Sequence, residues 1–185
     1  MVEMSVEQLI EWLNLRRKLL VCITGPSGAG KSTLIKQIVA SKRLYHHIAP
    51  GQHIRKCKTH MKTVLKSTNP TAVPELEKAV SNYVIYYLKT VSHNYSPIID
   101  GMPRTPDQIK FCINLAQGYN RLVVFVYVHA DENTRRDRLF NRKAENLELM
   151  ERRIKSDNDL MPVLFQSMMN WEDTTQKGHL IAVQT

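Results

Sequence analysis

One stretch constrains this chain more than any other: Val21 to Val39, VCITGPSGAGKSTLIKQIV. An apolar run, KLLVCIT, enters a glycine-rich turn, and STLIKQIVA leaves it with helical spacing. Gly25, Gly30, Lys31 and Ser32 satisfy GxxxxGK(S/T) with a strand before and a helix after, the context in which that pattern carries weight. Glycines admit positive φ and put no Cβ in the way, so successive backbone N–H groups can curl around phosphate oxygens at the positive end of the helix. The loop from Gly25 through Ser27, Gly28, Ala29 and Gly30 to Thr33 is therefore expected to grip a nucleoside triphosphate. Lys31 would reach its β- and γ-phosphates, and the Ser32 hydroxyl would bind Mg²⁺ directly or through water. The alternative is an ordinary Gly-rich βα turn, and the order strand, loop, Lys-Ser, helix argues against it.

Three more apolar runs read as buried strands: SPIID ending at Asp100, LVVFVYV ending at Val128, and LIAV near the C-terminus. Helical stretches separate them, and VEQLIEWLNL (Val6 to Leu15) reads as a packed leading helix. The alternation predicts an α/β fold, a P-loop kinase with a parallel sheet flanked by helices and ligands gathered at the strand C-terminal ends. Two stretches interrupt it. Residues 49–82, polar, basic and Pro-containing, read as an inserted helical subdomain, and 143–155, KAENLELMERRIK, as a mobile flap. The expected organisation is one domain over 1–185, with a core of 1–48, 83–142 and 156–185, the insertion 49–82 and the lid 143–155.

Charge narrows the partners. The chain has 26 Lys+Arg against 17 Asp+Glu, a net charge of +9, which suits polyanions. Aromatics make up only 7% and the arginines are dispersed through separate motifs, which favours nucleotides over a nucleic-acid surface. Cys22, Cys57 and Cys112 match no zinc or redox spacing, and a reducing, cytoplasmic setting fits them. No signal peptide or bilayer-spanning run is read, so a soluble protein is expected, off the membrane and monomeric.

After the second strand candidate comes IIDGMPRTPDQ, Ile98 to Gln108. Asp100 ends the strand, Gly101 permits a tight backbone, and Pro103 stiffens the exit that aims Arg104 into the crevice. A carboxylate there can hold waters of a phosphate-bound Mg²⁺, and Arg104 can fork onto a phosphate. The plainer reading is a turn whose Asp caps the next helix. His46, His47, His53 and His60 cluster without a carboxylate or thiolate partner, so solvated surface is preferred to a metal site. LEKAVSNYVIYYLKT, with Tyr83, Tyr86 and Tyr87, reads as a helix packed on the sheet, with base stacking the alternative.

With these residues in view, the sequence resembles the adenylate kinase family of nucleoside monophosphate kinases, in which a DGFPRTxxQ-like segment follows the phosphate loop. Here Met102 replaces the usual aromatic. HIAPGQHIR (His47 to Arg55) is similar to the family's HLSTGDLLR, AVP (Ala72 to Pro74) to its LVP, and VHADENTRRDRLFNR (Val128 to Arg142) matches its donor-side segment. The resemblance implies that Gly51, Arg55, Val73, Gly101, Arg104 and Gln108 bind the acceptor monophosphate. Arg55 and Arg104 would hold its α-phosphate and Gln108 its base. It also implies Arg138 stacked on the donor adenine, and Arg142, with Lys31 and Arg104, around the transferring phosphoryl. Arg153 is expected there on other grounds, since a flap of altered length can still deliver a guanidinium to the developing charge, and Mg²⁺ is expected at Ser32 and Asp100. Departures are equally plain: RRIKSDND sets Arg152 and Arg153 off the family's lid spacing, Phe165 lies where a later arginine is expected, and Pro50 and Gln52 replace a Thr and an Asp. The expected activity is transfer of the ATP γ-phosphoryl to AMP or dAMP. The alternatives are a CMP, UMP, GMP or deoxynucleotide kinase, or a nucleotide- or nucleic-acid-binding protein with weak transfer.

Overall fold

In the computed structural model, residues 1–41, 45–56, 74–90, 94–141, 147–175 and 178–185 are described. Among them six strands, β1 (Val2–Met4), β2 (Leu19–Thr24), β3 (Tyr45–Ile48), β4 (Ser96–Asp100), β5 (Leu122–His129) and β6 (Gly178–Gln184), form one sheet. Its order is β1-β6-β5-β2-β4-β3, and every pair is parallel. Parallel neighbours require crossovers, and the helices supply them: α1 (Val6–Asn14), α2 (Lys31–Ala40), α3 (Pro50–Lys56), α4 (Pro74–Thr90), α5 (Pro106–Gly118), α6 (Glu132–Phe140) and α7 (Leu147–Thr175).

β2 is buried at all six positions, the pattern of a strand covered on both faces. Val21 and Ile23 point with Leu9, Leu13, Leu34 and Ile38 into a core under α1 and α2. Leu20 and Cys22 point the other way, against Val84, Ile109, Cys112 and Met168 of α4, α5 and α7. From β2 the chain builds outward through β4 and β3 on one side and through β5 and β6 on the other. The strand order therefore reverses at β2, and the crevice beyond its C-terminal end is where such sheets bind ligands.

All four expected strands form, and α1 begins at the Ser5 cap, whose side chain accepts from the Gln8 N–H while the Gln8 side chain returns to the cap backbone. The sequence reading passed over two strands. β1 and β3 are the edges of the sheet, three and four residues long. With a neighbour on one side only, neither carries the continuous apolar run that marks a buried strand.

The described part of the expected flap is helical. Residues 147–155 are the opening turns of the 29-residue helix α7, which runs unbroken to Thr175. Met150 and Ile154, one turn apart, are buried against Leu139 of α6, and Glu148 pairs with Arg152 at 2.6 Å. α4 runs through the insertion's expected boundary at 82/83. Residues 57–73 of that insertion lie outside the described residues. No helix among the described residues is long and apolar enough to cross a membrane.

Candidate functional site

The motif loop leaves β2 at Thr24 and turns through Gly25, Gly28 and Gly30 at φ of +135°, +81° and +86°. A side chain at Gly25 would collide with the Val128 carbonyl at the end of β5, and a Cβ at Gly28 would sit 2.7 Å from the Arg135 carbonyl of α6. Glycine is thus required both by conformation and by the closeness of the neighbouring backbone. α2 starts immediately after, with Lys31, Ser32 and Thr33 in its first turn, so the helix directs the positive end of its dipole at the loop. The Lys31 ammonium folds back over the loop and donates to the Gly25 and Pro26 carbonyls at 2.8 and 2.7 Å.

A carboxylate already sits on this anion-seeking loop. Asp157 of α7, 5% exposed, accepts from the Ser27 backbone N–H at 2.6 Å. Beside it the buried Arg135 donates to Asn158 at 2.7 Å. Burial raises the pKa of Tyr127, which lies between these groups; the Arg135 guanidinium pulls the phenol down and Asp157 adds to the rise. Sequence reasoning passed over Asp157 because a lone carboxylate in a charged helical stretch reads as solvated. Its signal was there: Asp157 continues the stripe of Met150 and Ile154, both buried.

On the side of the loop toward β6, Thr185 Oγ1 donates to the Ala29 carbonyl at 2.8 Å and accepts from Arg138 at 2.9 Å. Arg138 also approaches the Gly28 carbonyl at 3.4 Å. Thr185, Arg138, Gly28 and Gly30, with Val6, Thr33, Gln37 and Asn141, border a cleft of about 550 Å³ at the foot of α2. A cleft of this size, walled partly by apolar groups and partly by amide side chains, suits a flat heterocycle.

On the other side lies the turn after β4. Gly101, at φ +78°, donates its N–H to the Ile23 carbonyl at 2.8 Å, which places the turn directly beside the loop. The Arg104 Nε donates to the Gly101 carbonyl at 3.2 Å, while its two terminal nitrogens have no partner among the described residues. Thr105, not Asp100, caps the next helix, α5: its hydroxyl accepts from the Gln108 N–H at 3.2 Å. That leaves Asp100 facing His47 of β3, whose Nε2 lies 3.3 Å from its Oδ2. Gln108 is 6% exposed, and its amide is held between the Arg104 N–H and Glu77 of α4.

The loop residues, Ser32, Asp100, Gly101, Arg104, Gln108 and Arg138 thus converge on the C-terminal ends of β2 and its neighbours. Gly51 lies in the first turn of α3, after β3. Arg55 is in the same helix, with its side chain outside the description, and Val73 and Arg142 lie outside the described residues. Arg153 is exposed on α7, one turn before Asp157 and on the same stripe of the helix.

The histidines meet the surface expectation in part: His47 and His53 are exposed and His46 is half-buried. The His53 ring also stacks on Tyr83 at 4.1 Å and the His46 ring on Tyr87 at 6.0 Å, an aromatic column between α3, α4 and β3, and the expected lack of a carboxylate partner fails at His47, which faces Asp100. Burial, followed by the neighbouring Tyr87 hydroxyl, pushes the Tyr83 phenol up to about 12. No group of three or more His, Cys, Asp or Glu able to hold a metal occurs among the described residues, and His60 lies outside them. Cys22 and Cys112 are buried free thiols on facing sides of one core.

No curated protein matches the chain. The family profile described as an AAA domain matches residues 20–160, from β2 into α7.

Proposed function

The chain belongs to the AAA domain family, here a P-loop, kinase-like nucleotide-binding domain, and from that premise we propose that it transfers the γ-phosphoryl group of Mg·ATP to a nucleoside monophosphate, AMP or dAMP, in the cytoplasm. What supports this reading above all is a second anion-seeking group beside the phosphate loop. Arg104 is tethered by Nε to the turn after β4, and its two terminal nitrogens face no protein acceptor among the described residues. Tethered in that way, the planar guanidinium can meet a phosphate with two parallel hydrogen bonds. The loop would hold the donor's phosphates and Arg104, with Arg55, the acceptor's. Phosphoryl transfer asks for this positioning and charge neutralisation more than for covalent help.

Arg138 and the cleft at the foot of α2 would take the donor adenine. Ser32 and Asp100 offer a hydroxyl and a carboxylate oxygen, hard donors of the kind Mg²⁺ takes together with phosphates and water. Bound there, Mg²⁺ would offset phosphate charge as it develops. Lys31 would exchange its two loop carbonyls for phosphate oxygens, and Arg153 and Arg142 would reach the transferring group from outside.

The test is ADP formation from Mg·ATP across AMP, dAMP, CMP, GMP and UMP. AMP or dAMP is expected to exceed GMP and UMP by more than about tenfold in kcat/KM, because a buried polar group left unpaired penalises the wrong base. If no monophosphate raises ADP formation above that with ATP alone, the reading fails.

Asp157 makes a further prediction. A polyphosphate arriving at the loop meets a buried carboxylate 2.6 Å from the Ser27 N–H. Like charges about 4 Å apart repel by about 4 kcal/mol even at a protein-surface dielectric, and relaxation removes part of this. Asp157→Asn is expected to tighten ATP about tenfold by calorimetric titration. It should also lower the melting temperature, since a charge-assisted hydrogen bond is lost. Weaker ATP binding in the variant would make Asp157 a support of the loop and not a competitor for it.

A further inference from the structure

An amide beside a nucleobase can present either a donor or an acceptor, and the surroundings of Gln108 decide which. The Arg104 backbone N–H can only donate, so the amide atom 2.8 Å from it is the carbonyl oxygen Oε1. Nε2 is thereby turned to Glu77, donating to Oε1 of its carboxylate at 3.3 Å. Thr105 Oγ1 donates to the same carboxylate oxygen at 3.3 Å. Reversing the amide would set N–H against N–H and oxygen against carboxylate, two unfavourable contacts at a side chain 6% exposed. The polarity of the group is therefore fixed. Two features stay unused: the second Nε2 hydrogen of Gln108, and the other carboxylate oxygen of the half-buried Glu77, Oε2, which has no partner among the described residues. A donor and an anionic acceptor stand side by side, one turn of α5 beyond Arg104.

We propose that Glu77 selects the base of the acceptor nucleotide, admitting an edge that carries an exocyclic amino group next to an unprotonated ring nitrogen. This rests on the acceptor reading given above and deepens it. Glu77 Oε2 accepts from the amino group, and the Gln108 N–H donates to the ring nitrogen. Adenine and cytosine present that edge. A base with a carbonyl in place of the amino group reverses both partners: its oxygen faces a carboxylate, and its ring N–H faces the amide N–H. With the phosphate anchored at Arg104 the base cannot turn over to escape this mismatch. A site built to pair polar groups rejects the reversed edge strongly, because its own buried groups are then left unpaired.

The experiment compares AMP with inosine monophosphate, which differs in having oxygen for the amino group. For the wild-type chain, kcat/KM for AMP is expected to exceed that for inosine monophosphate by about 10³ or more. Glu77→Gln keeps the size of the side chain but can donate to a carbonyl. It should bring the ratio down at least a hundredfold, about 10², through a gain for inosine monophosphate as well as a loss for AMP. Glu77→Ala should lower the ratio through the loss for AMP alone. A gain for the oxo substrate cannot come from general damage to the fold. A ratio in Glu77→Gln within about threefold of wild type overturns the inference while leaving the kinase reading in place. If the wild-type chain neither phosphorylates nor binds AMP in a calorimetric titration, the acceptor reading fails and the inference with it.

Discussion

Lys31→Met is expected to leave a folded protein that transfers phosphoryl at less than about a thousandth of the wild-type rate. In the structure its ammonium donates to the Gly25 and Pro26 carbonyls, so losing it removes two hydrogen bonds from the loop. Each is worth about 1 kcal/mol, a modest sum against the two cores that hold β2. The transfer step loses far more. A triphosphate carries its charge into a loop where the backbone supplies only partial charges and Asp157 supplies a negative one. Lys31 is the full positive charge within the motif, and it moves onto the phosphates as charge shifts between them. Circular dichroism and a thermal melt check the fold, and coupled ADP formation checks transfer. Retention of more than about a tenth of the activity would sink the kinase reading.

The second large effect is expected at Arg153. The sequence offers two adjacent arginines, and the helix separates them. Arg152 pairs with Glu148 at 2.6 Å on the exposed side of α7. Arg153 stands one turn before Asp157, whose carboxylate touches the loop, and residues four apart share a helix face. Arg153 is itself exposed, within one turn of the carboxylate that meets the loop. Arg153→Ala should lower kcat by about 10² to 10³, similar to the loss of one preorganised donor, with little change in the KM of the monophosphate. Arg152→Ala should stay within about twofold. Arg142→Ala should cost at least as much as Arg153→Ala. If both Arg152→Ala and Arg153→Ala leave kcat nearly untouched, the pair is a solvated helix face and transfer rests on Lys31, Arg55, Arg104 and Arg142.

Why some of this was legible in the chain and some was not comes down to the range of the interactions involved. β2, its loop and α2 are specified within one continuous stretch, Leu19 to Ala40, because apolar run, glycines and Lys-Ser each act on the backbone nearest to them. Asp100, Gly101 and Arg104 were equally local: strand end, turn and exit follow one another. Asp157 and Glu77 gain their meaning from partners far away in sequence, the first from Ser27 and the second from Thr105 and Gln108. Nothing beside Glu77 marks it, and Asp157 is marked only by continuing the stripe of Met150 and Ile154. The edge strands failed for another reason. β3 reads YHHI, and its histidines are acceptable because an edge strand is paired on one side only: His46 is half-buried beside Tyr87 and His47 is exposed. The helix in the described part of the expected lid was hidden by charges that outnumber its apolar residues, although Met150 and Ile154 at helical spacing suffice to fasten it to Leu139.

Thr185 fastens the far end of β6 to the phosphate loop, through Ala29 on one side and Arg138 on the other. β1 in turn has β6 as its neighbour in the sheet. Peeling this edge away therefore means releasing the loop, so a ligand that holds the loop also raises the free energy of opening. At a hundred times its Kd such a ligand adds about 2.7 kcal/mol. Amide hydrogens of β6, and of β1 beyond it, should then exchange with solvent about a hundredfold more slowly when the loop is loaded.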